Sequence, residues 1–126
     1  MNIGINHKMS YRYLVTQPDL NAHGTLHGGI LMKWVDEACG MESRLTTKHV
    51  CATVHINDIN FCDTARLGDI IEISVQHRHT GNTSITFSAD AFVLPACDAA
   101  KRKIASFDEV VFVAIDKNNK PLVIKP

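Results

Sequence analysis

The stretch at residues 21–45, NAHGTLHGGILMKWVDEACGMESRL, decides the fold of this chain. Residues 21–29 contain three glycines, so we predict a loop of special backbone geometry there rather than a regular element. From residue 30 to about residue 45 the apolar side chains recur at helical spacing, which predicts the one long helix of the chain. Gly28 and Gly29 place flexible backbone at the entry of this helix.

The two faces of the predicted helix differ in character on a helical wheel. One narrow stripe is apolar and is predicted to face the core: Ile30, Leu31, Trp34, Ala38, Met41 and Leu45. The opposite side carries small or weakly polar residues: Met32, Asp36, Cys39, Gly40 and Ser43. Because lysine, arginine and glutamate lie on the flanks, the side of Asp36 is not typical of a solvated face. We therefore expect a second chain to cover it, and we interpret the protein as a dimer with the helix near the interface.

The rest of the chain follows the pattern of β-strands. A first strand is predicted at residues 11–16, and four more at residues 50–61, 69–80, 83–94 and 103–115. Gly81-Asn82 is a turn signal between two of them. The strand at 83–94 alternates cleanly and places five residues on one face: Ile85, Phe87, Ala89, Ala91 and Val93. This order predicts one α+β domain over residues 1–126, with an antiparallel sheet curled around the helix.

The composition excludes several function classes. Lysine plus arginine number 13, as do aspartate plus glutamate, so the formal net charge of zero argues against a nucleic-acid binder. The cluster Lys101-Arg102-Lys103 is interpreted as a solvated loop, with a contact to a phosphorylated ligand as the alternative. The first residues lack a charged segment followed by an apolar run, and no apolar stretch approaches about 20 residues. We therefore expect no export, no membrane insertion and a cytoplasmic location.

The cysteines and histidines give no sign of a metal site. Cys39, Cys51, Cys62 and Cys97 contain no C-x-x-C pair, so we predict reduced thiols that act as small buried side chains. His77 and His79 have strand spacing and could face one side, but the sequence offers no further ligands to match them.

The loop and helix together resemble a known family. Residues 21–29 followed by Asp36 match N-x-x-G-x-x-H-G-G and a carboxylate seven residues later, the pattern of the acyl-CoA hydrolase branch of the hotdog thioesterases. Further segments resemble that family in the same order: residues 59–61, 67–69, 80–84, 112–116 and 120–121. The resemblance implies a hotdog fold, which is a sheet wrapped around a central helix. It also implies a homodimer with active sites at its interface, often assembled further as a trimer of dimers. The activity implied is hydrolysis of acyl-CoA thioesters in fatty acid and lipid metabolism, without metal or organic cofactor.

The resemblance also implies catalytic roles. Asp36 matches the helix carboxylate, which would activate water as a general base or attack the thioester directly. Asn21 matches the loop asparagine that orients water or substrate, from the partner chain. Gly28 and Gly29 match the positions whose backbone N–H groups, at a helix N-terminus, would stabilise the oxyanion.

Other matched positions would bind coenzyme A (CoA) or the rest of the substrate. Gly81, Thr83 and Ser84 match a turn near the CoA phosphates and pantetheine; for Thr83 and Ser84 the alternative is that they are ordinary strand residues. His27 belongs to the motif; a hydrogen bond that orders the loop is the preferred interpretation, and substrate contact is the alternative. Asn82 stands where many relatives carry a basic residue, which leaves one phosphate contact open. Residues 62–65 (CDTA) stand where relatives often have a proline and an apolar residue, which leaves that loop's conformation open.

Two other functions remain possible from the sequence. An enoyl-CoA hydratase on the same fold would need D-x-N-x-x-H, but here Asp19-Leu20-Asn21 is followed by His23, one position early. A non-catalytic acyl-CoA-binding protein is the other possibility. The presence of both Asp36 and Asn21 argues against it, because a binder needs no base.

Overall fold

A computed structural model of the protein describes residues 8–97 and 99–124. The first residues, on which part of the expectation of no export rests, lie outside this range. The elements are β1 (Lys8–Leu14), a 3-10 turn (Gln17–Asp19), α1 (Gly28–Thr47), β2 (Cys51–Phe61), β3 (Ile70–Thr80), β4 (Ser84–Leu94) and β5 (Arg102–Ala114). Each predicted element is present. The first strand begins three residues and ends two residues earlier than predicted, the helix is two residues longer at each end, and the boundaries of the other four strands differ by at most one residue.

The five strands form one antiparallel sheet in the order β1-β3-β4-β5-β2. β1 and β2 are therefore its edges. Register shifts interrupt the ladders at four places: between Thr53 and His55, between His77 and His79, between Phe87 and Ala89, and between Ala91 and Phe92. Such irregularities bend strands, so the sheet can curl around α1. The α+β prediction of a sheet wrapped around one helix is confirmed.

The core lies between α1 and the inner face of the sheet. The alternation predicted for β4 is confirmed, since all five of its inner residues are buried. The largest fully buried side chains include Phe87 and Phe107, with Ile71, Ile73 and Ile85 around them. Phe87 contacts Phe112 edge to face, with ring centroids 6.2 Å apart, and the Phe112 ring lies against α1 at Gly40.

The predicted faces of the helix need correction. Leu31, Trp34 and Ala38 are buried as predicted, but Met41 and Leu45 are 44% and 60% exposed. Cys39 and Ser43, which the wheel placed on the face opposite the core, have no exposed surface.

The curled sheet explains this rotation of the buried face. It covers α1 from the side of Gly40, where an added Cβ would lie 3.5 Å from the Phe112 ring. Glu42 is buried too, and the Tyr11 hydroxyl donates a 2.6 Å hydrogen bond to its carboxylate, which offsets part of the cost of burying it. The protein's own sheet, rather than a second chain, therefore covers much of the small-residue face. The wheel alone does not support the predicted dimer.

The expectation of buried cysteines was wrong for two of the four, and the possibility that His77 and His79 share a face is not met. Cys62 and Cys97 are exposed rather than buried, whereas Cys39 is buried and Cys51 is half-buried; all four are free thiols. His77 is buried and bonded to the Thr80 hydroxyl, but His79 is exposed beyond a register shift, so the two rings do not share a face. In the described ranges, no cluster of three histidine, cysteine or acidic residues is arranged to hold a metal.

Candidate active site

The glycine-containing loop before α1 is closed by Asn21. Its side-chain oxygen accepts hydrogen bonds from the backbone N–H groups of His23 (2.9 Å) and Thr25 (3.1 Å), and its Nδ2 donates to the Thr25 hydroxyl (3.0 Å). Asparagine suits this role because its side chain can bond backbone two or more residues away. Gly24 has φ +78°, a left-handed conformation that glycine adopts without strain. Loop closure thus occupies the Asn21 oxygen and leaves the second hydrogen of its Nδ2 for another partner.

His27 caps the N-terminus of α1. Its Nδ1 accepts a 2.9 Å hydrogen bond from the Gly29 N–H, and its carbonyl accepts from Ile30 and Leu31. The first N–H groups of a helix have no partner within the helix, so this cap replaces one missing acceptor. Within the described chain no acceptor is placed for the Gly28 N–H. Only one of the two predicted backbone donors is therefore available. The Gly28 N–H lies at the positive end of the helix dipole with no acceptor among the described residues, whereas the Gly29 N–H is bonded to His27.

A cleft of about 200 Å³ opens beside Gly28. It lies between the loop, the first turns of α1 and the segment that follows β2, and it is lined by Asn21, Thr25, Leu26, Gly28, Leu31, Phe61, Asp63, Thr64, Ala65 and Ile104. The predicted Asn21 and Gly28 thus line one cavity. An apolar cavity with a few convergent polar groups at a helix N-terminus is typical of a small-molecule site.

The wall of the cleft formed by residues 62–65 is tied to β5. Arg102 Nη1 donates to the Thr64 carbonyl at 2.7 Å and forms a 2.8 Å ion pair with Asp63. The Thr64 backbone N–H and Arg102 both bond the Asp63 carboxylate, and these two hydrogen bonds are the main reason that the pKa of Asp63 is held below its usual value. Arg102 is exposed, as predicted for a solvated cluster, and it also holds the part of the loop that differs from the family pattern.

Asp36 lies halfway along α1 and contacts the edge strand. The Thr53 hydroxyl donates a 2.5 Å hydrogen bond to Asp36 Oδ1, and Asp36 is half-buried. Thr53 is a polar residue on the inner face of β2, opposite Phe112 on β5. Sequence reasoning missed Thr53; the available signal was a polar residue at a strand position whose neighbours on the same face, such as Ile56 and Ile59, are apolar.

The surroundings of Asp36 exclude the nearby cysteine as a nucleophile. Cys39 is fully buried, and desolvation first, then the negative charges of Asp36 and Glu42, raise the pKa of its thiol far above the usual range. A reactive cysteine needs thiolate character, which this environment suppresses. Asp36 is therefore the reactive candidate on this part of the helix.

Asp36 and Gly28 cannot reach the same atom within one chain. They are eight residues apart on a straight helix, which separates their backbones by about 12 Å. The sheet shows the same separation: Thr53 pairs opposite Phe112, whereas Phe61 beside the cleft pairs opposite Ala105. One chain thus carries two half-sites, the cleft with Asn21 and Gly28, and the Asp36–Thr53 pair.

The predicted CoA-binding turn lies at the end of the sheet with the Asp36–Thr53 pair. Ser84 pairs opposite Val113, and the Thr83 carbonyl accepts from Ala114 N–H at 2.9 Å. Gly81 N–H donates to the Ser84 carbonyl and closes the turn. Since Ala105 and Ala114 are nine residues apart on β5, the turn is about 30 Å along the strand from the cleft of the same chain. The structure therefore does not bring Gly81, Thr83 and Ser84 near Gly28 or His27 within one chain.

The sequence and structure are similar to those of known proteins. The sequence profile of the Thioesterase superfamily matches residues 23–95, more than half of the chain. The cytosolic acyl coenzyme A thioester hydrolase of Rattus norvegicus is 32% identical over 113 residues, covering 89% of this chain and 30% of that protein, so the chain spans about a third of this relative's length. Many solved structures are also similar, and two of them serve as examples. The acyl-CoA hydrolase from Staphylococcus aureus in complex with butyryl-CoA and CoA has a TM-score of 0.85 at 22% identity, covering 93% and 71% of the two chains. A hexameric thioesterase from Yersinia pestis has a TM-score of 0.86 at 23% identity, covering 92% and 93%.

Proposed function

Because the chain belongs to the thioesterase superfamily, we propose that it hydrolyses the thioester of acyl-CoA to a free acid and CoA. The observation that carries the proposal is the Asp36–Thr53 pair, a helix carboxylate fixed by a hydroxyl from the edge strand. A hydrogen bond to a charged group contributes about 1.5–3 kcal/mol, enough to hold the carboxylate in one orientation. The proposed substrate class is taken from the rat relative, which is named an acyl coenzyme A thioester hydrolase.

The spacing of three residues supports the same assignment. The Staphylococcus aureus hydrolase has been studied with an asparagine, an aspartate and a threonine each replaced by alanine. Its asparagine and aspartate are 15 positions apart, and its aspartate and threonine are 17 positions apart. Asn21, Asp36 and Thr53 have the same two spacings.

Each group has a role in the proposed reaction. Asp36 takes a proton from water, the resulting hydroxide attacks the thioester carbonyl carbon, and the C–S bond breaks to release the CoA thiolate. Direct attack by Asp36, followed by hydrolysis of the acyl-aspartate, is the other route on the same residues. The Gly28 N–H stabilises the negative charge on the carbonyl oxygen, and the Nδ2 of Asn21 orients water or substrate. His27 supports Gly28 by capping the helix, and its predicted contact to substrate is secondary. No metal or organic cofactor is part of this mechanism.

A homodimer completes the site. β2 is an exposed edge strand, and antiparallel pairing of two copies around a two-fold axis near Ile56 would extend the sheet across both chains. That axis places Phe61 of one chain beside the partner's Cys51, which brings the cleft near the partner's Asp36 and Thr53. The same pairing brings the partner's CoA-binding turn, with Thr83 and Ser84, to the cleft.

The higher assembly and the cellular location of this chain are proposed from those of its relatives. The Yersinia pestis thioesterase is hexameric, so a trimer of dimers is the proposed higher assembly. Among the described residues, no helix is long and apolar enough to cross a membrane. The rat relative is named cytosolic, and we propose a cytoplasmic location for this chain as well.

The first experiment compares Asp36→Asn with Glu37→Gln. Both changes remove one negative charge from α1, but Glu37 is exposed and lies outside the site. Release of CoA thiol from acyl-CoAs of two to sixteen carbons should be lost in Asp36→Asn and kept in Glu37→Gln. Cys62 and Cys97 are free and exposed and are expected to react with thiol reagents, so protein without substrate gives the baseline. Activity of Asp36→Asn equal to that of the wild type would overturn the proposal.

The same assay separates the two other functions. A hydratase would remove the conjugated absorbance of an enoyl-CoA without thiol release, and a binder would retain acyl-CoA with no turnover. The hydratase is disfavoured because the Asp19 carboxylate already accepts hydrogen bonds from the Thr16 N–H (2.8 Å) and hydroxyl (3.0 Å).

Mixing two inactive variants tests the shared site. Asn21→Asp keeps an oxygen for the loop N–H groups of His23 and Thr25 but loses the amide donor. If each site takes Asp36 from one chain and Asn21 from the other, a hybrid dimer of Asn21→Asp and Asp36→Asn contains one intact site. Random mixing of equal amounts should then restore about a quarter of wild-type activity. No recovery after refolding the two variants together would show that the site lies within one chain.

A further inference from the structure

The cleft beside Gly28 has the properties of a binding site for the acyl chain. We propose that it holds a linear acyl chain of short to medium length, and that the Phe61 ring sets the upper limit of that length. This inference rests on the proposed thioester hydrolysis and extends it to the substrate class.

The floor of the cleft is apolar and deeply buried. Leu31, Ala65 and Ile104 are each at most 3% exposed, and Leu26 is 8% exposed. Such a surface favours methylene groups over water. The cleft has no positively charged lining residue, so it does not suit the phosphates of CoA. The hydrocarbon part of the substrate is the part that fits.

Gly28 fixes where the chain begins. It lines the cleft, and its N–H is the donor proposed for the thioester oxygen. A carbonyl bound there has its first methylene group at the entrance of the cleft. The CoA side of the thioester then points outward, toward the edge of the sheet where the partner chain is proposed.

Phe61 forms the outer wall. It is the last residue of β2 and lies on its inner face, opposite Ala105, yet it is 51% exposed. A Cβ added at Gly28 would lie 3.6 Å from the Phe61 ring, so the ring covers the start of the helix. On its other side the ring meets Phe107 edge to face, with centroids 6.1 Å apart. Phe61 therefore separates the cleft from the sheet edge, where the proposed partner chain would lie against it.

The opposite wall is rigid. The backbone N–H groups of Cys62 and Asp63 both donate to the Ile104 carbonyl, at 2.8 and 3.2 Å. The Leu26 N–H donates to the Ala65 carbonyl at 2.8 Å, and Arg102 holds Asp63 and Thr64. Since this wall is bonded on both sides, a longer chain must displace Phe61 rather than the loop.

The volume gives the expected length. The cleft of about 200 Å³ is smaller than the pockets of about 300–1,000 Å³ that enclose drug-sized ligands, so it suits an acyl chain of short to medium length. Each methylene buried in an apolar site should raise kcat/KM about fourfold until the cleft is full. The wild-type enzyme should therefore gain activity from acetyl- to about octanoyl-CoA and lose it for longer chains.

Substitution of Phe61 tests the limit. Phe61→Ala opens the wall and should raise the ratio of kcat/KM for dodecanoyl-CoA to that for butyryl-CoA at least tenfold, with Phe61→Leu in between. Phe92→Ala is the matched control: Phe92 is a half-buried phenylalanine on the outer face of the sheet, beneath Lys101. It should leave the ratio unchanged. Circular dichroism and urea unfolding show whether each variant is folded, and Phe61→Leu keeps the test usable if Phe61→Ala is not.

The outcomes separate this inference from the proposed function. If the wild-type protein hydrolyses acyl-CoAs but the chain-length ratio is the same in the wild type, Phe61→Leu and Phe61→Ala, the role of Phe61 is wrong and hydrolysis stands. A wild-type optimum at hexadecanoyl-CoA would also overturn the inference. If no acyl-CoA of any length is hydrolysed, the proposed function fails, and the inference fails with it.

Discussion

Replacing Thr53 by valine removes one hydroxyl from the proposed site and nearly keeps the side-chain shape. The lost interaction is the 2.5 Å hydrogen bond to Asp36 Oδ1. Hydrogen bonds to charged groups contribute about 1.5–3 kcal/mol, and if the whole contribution is lost in the transition state, kcat falls about 10- to 150-fold. KM should change little, because Thr53 acts on the orientation of Asp36 and not on the acyl chain. Valine favours strands, so the fold should survive.

Stopped-flow or steady-state release of CoA thiol gives kcat and KM separately. Thr53→Ser keeps the hydroxyl and should retain most of the wild-type kcat, which a purely structural role would not require. Thr86→Val, the same change on the outer face of β4, is the control and should leave both constants unchanged. If Thr53→Val hydrolyses acyl-CoA at the wild-type rate, Thr53 does not position Asp36, and the main support for the proposed mechanism is removed.

Three further predictions concern the cap, a buried hydrogen bond and the edge strand. His27→Ala removes the cap of α1 and should cost about 1 kcal/mol, seen as a Tm about 4 °C lower in calorimetry; an unchanged Tm would show that the cap is not stabilising. Burial, together with the hydrogen bond to Glu42, raises the pKa of Tyr11 above its ordinary value of 10.0, so the folded state holds this proton more tightly than the unfolded state. The contribution of Tyr11 to the free energy of unfolding should therefore be fully present below about pH 10 and decrease above it. Tyr11→Phe should lower the free energy of urea unfolding at pH 7 by about 1–3 kcal/mol and should reduce its decrease at alkaline pH. Val54 is 57% exposed on the edge strand, and Val54→Lys should shift the light-scattering mass toward a monomer and reduce activity in parallel; an active monomer would contradict the shared site.

The regular elements were predictable from the sequence because their periodicity is a local property. The alternation in β4 identified all five of its buried residues, and the stripe at residues 30–45 located the helix. The orientation of that helix was not predictable, because it depends on how far the sheet curls. Met41 and Leu45 are apolar but exposed, whereas Glu42 is buried and bonded to Tyr11, 31 positions earlier.

The residues of the candidate site were also predictable only in part. Asn21, Gly28 and Asp36 could be named in advance because the resemblance concerns one continuous motif. Thr53 could not, since its contact with Asp36 depends on the register of β2 and on the bulge that follows it. The different hydrogen bonding of the Gly28 and Gly29 N–H groups was not predictable either, because it depends on which N–H the His27 ring contacts.

The distance of about 12 Å between Gly28 and Asp36 along one helix has a genetic consequence. If each site draws its loop from one chain and its carboxylate from the other, two damaging mutations leave about a quarter of the sites intact however they are inherited, but they place those sites in different dimers. Carried on the same copy of the gene, Asn21→Asp and Asp36→Asn spoil both sites of every mixed dimer. Carried on separate copies, they leave one site of each mixed dimer intact. The kind of dimer that keeps its activity would then depend on how the two mutations are distributed between the alleles.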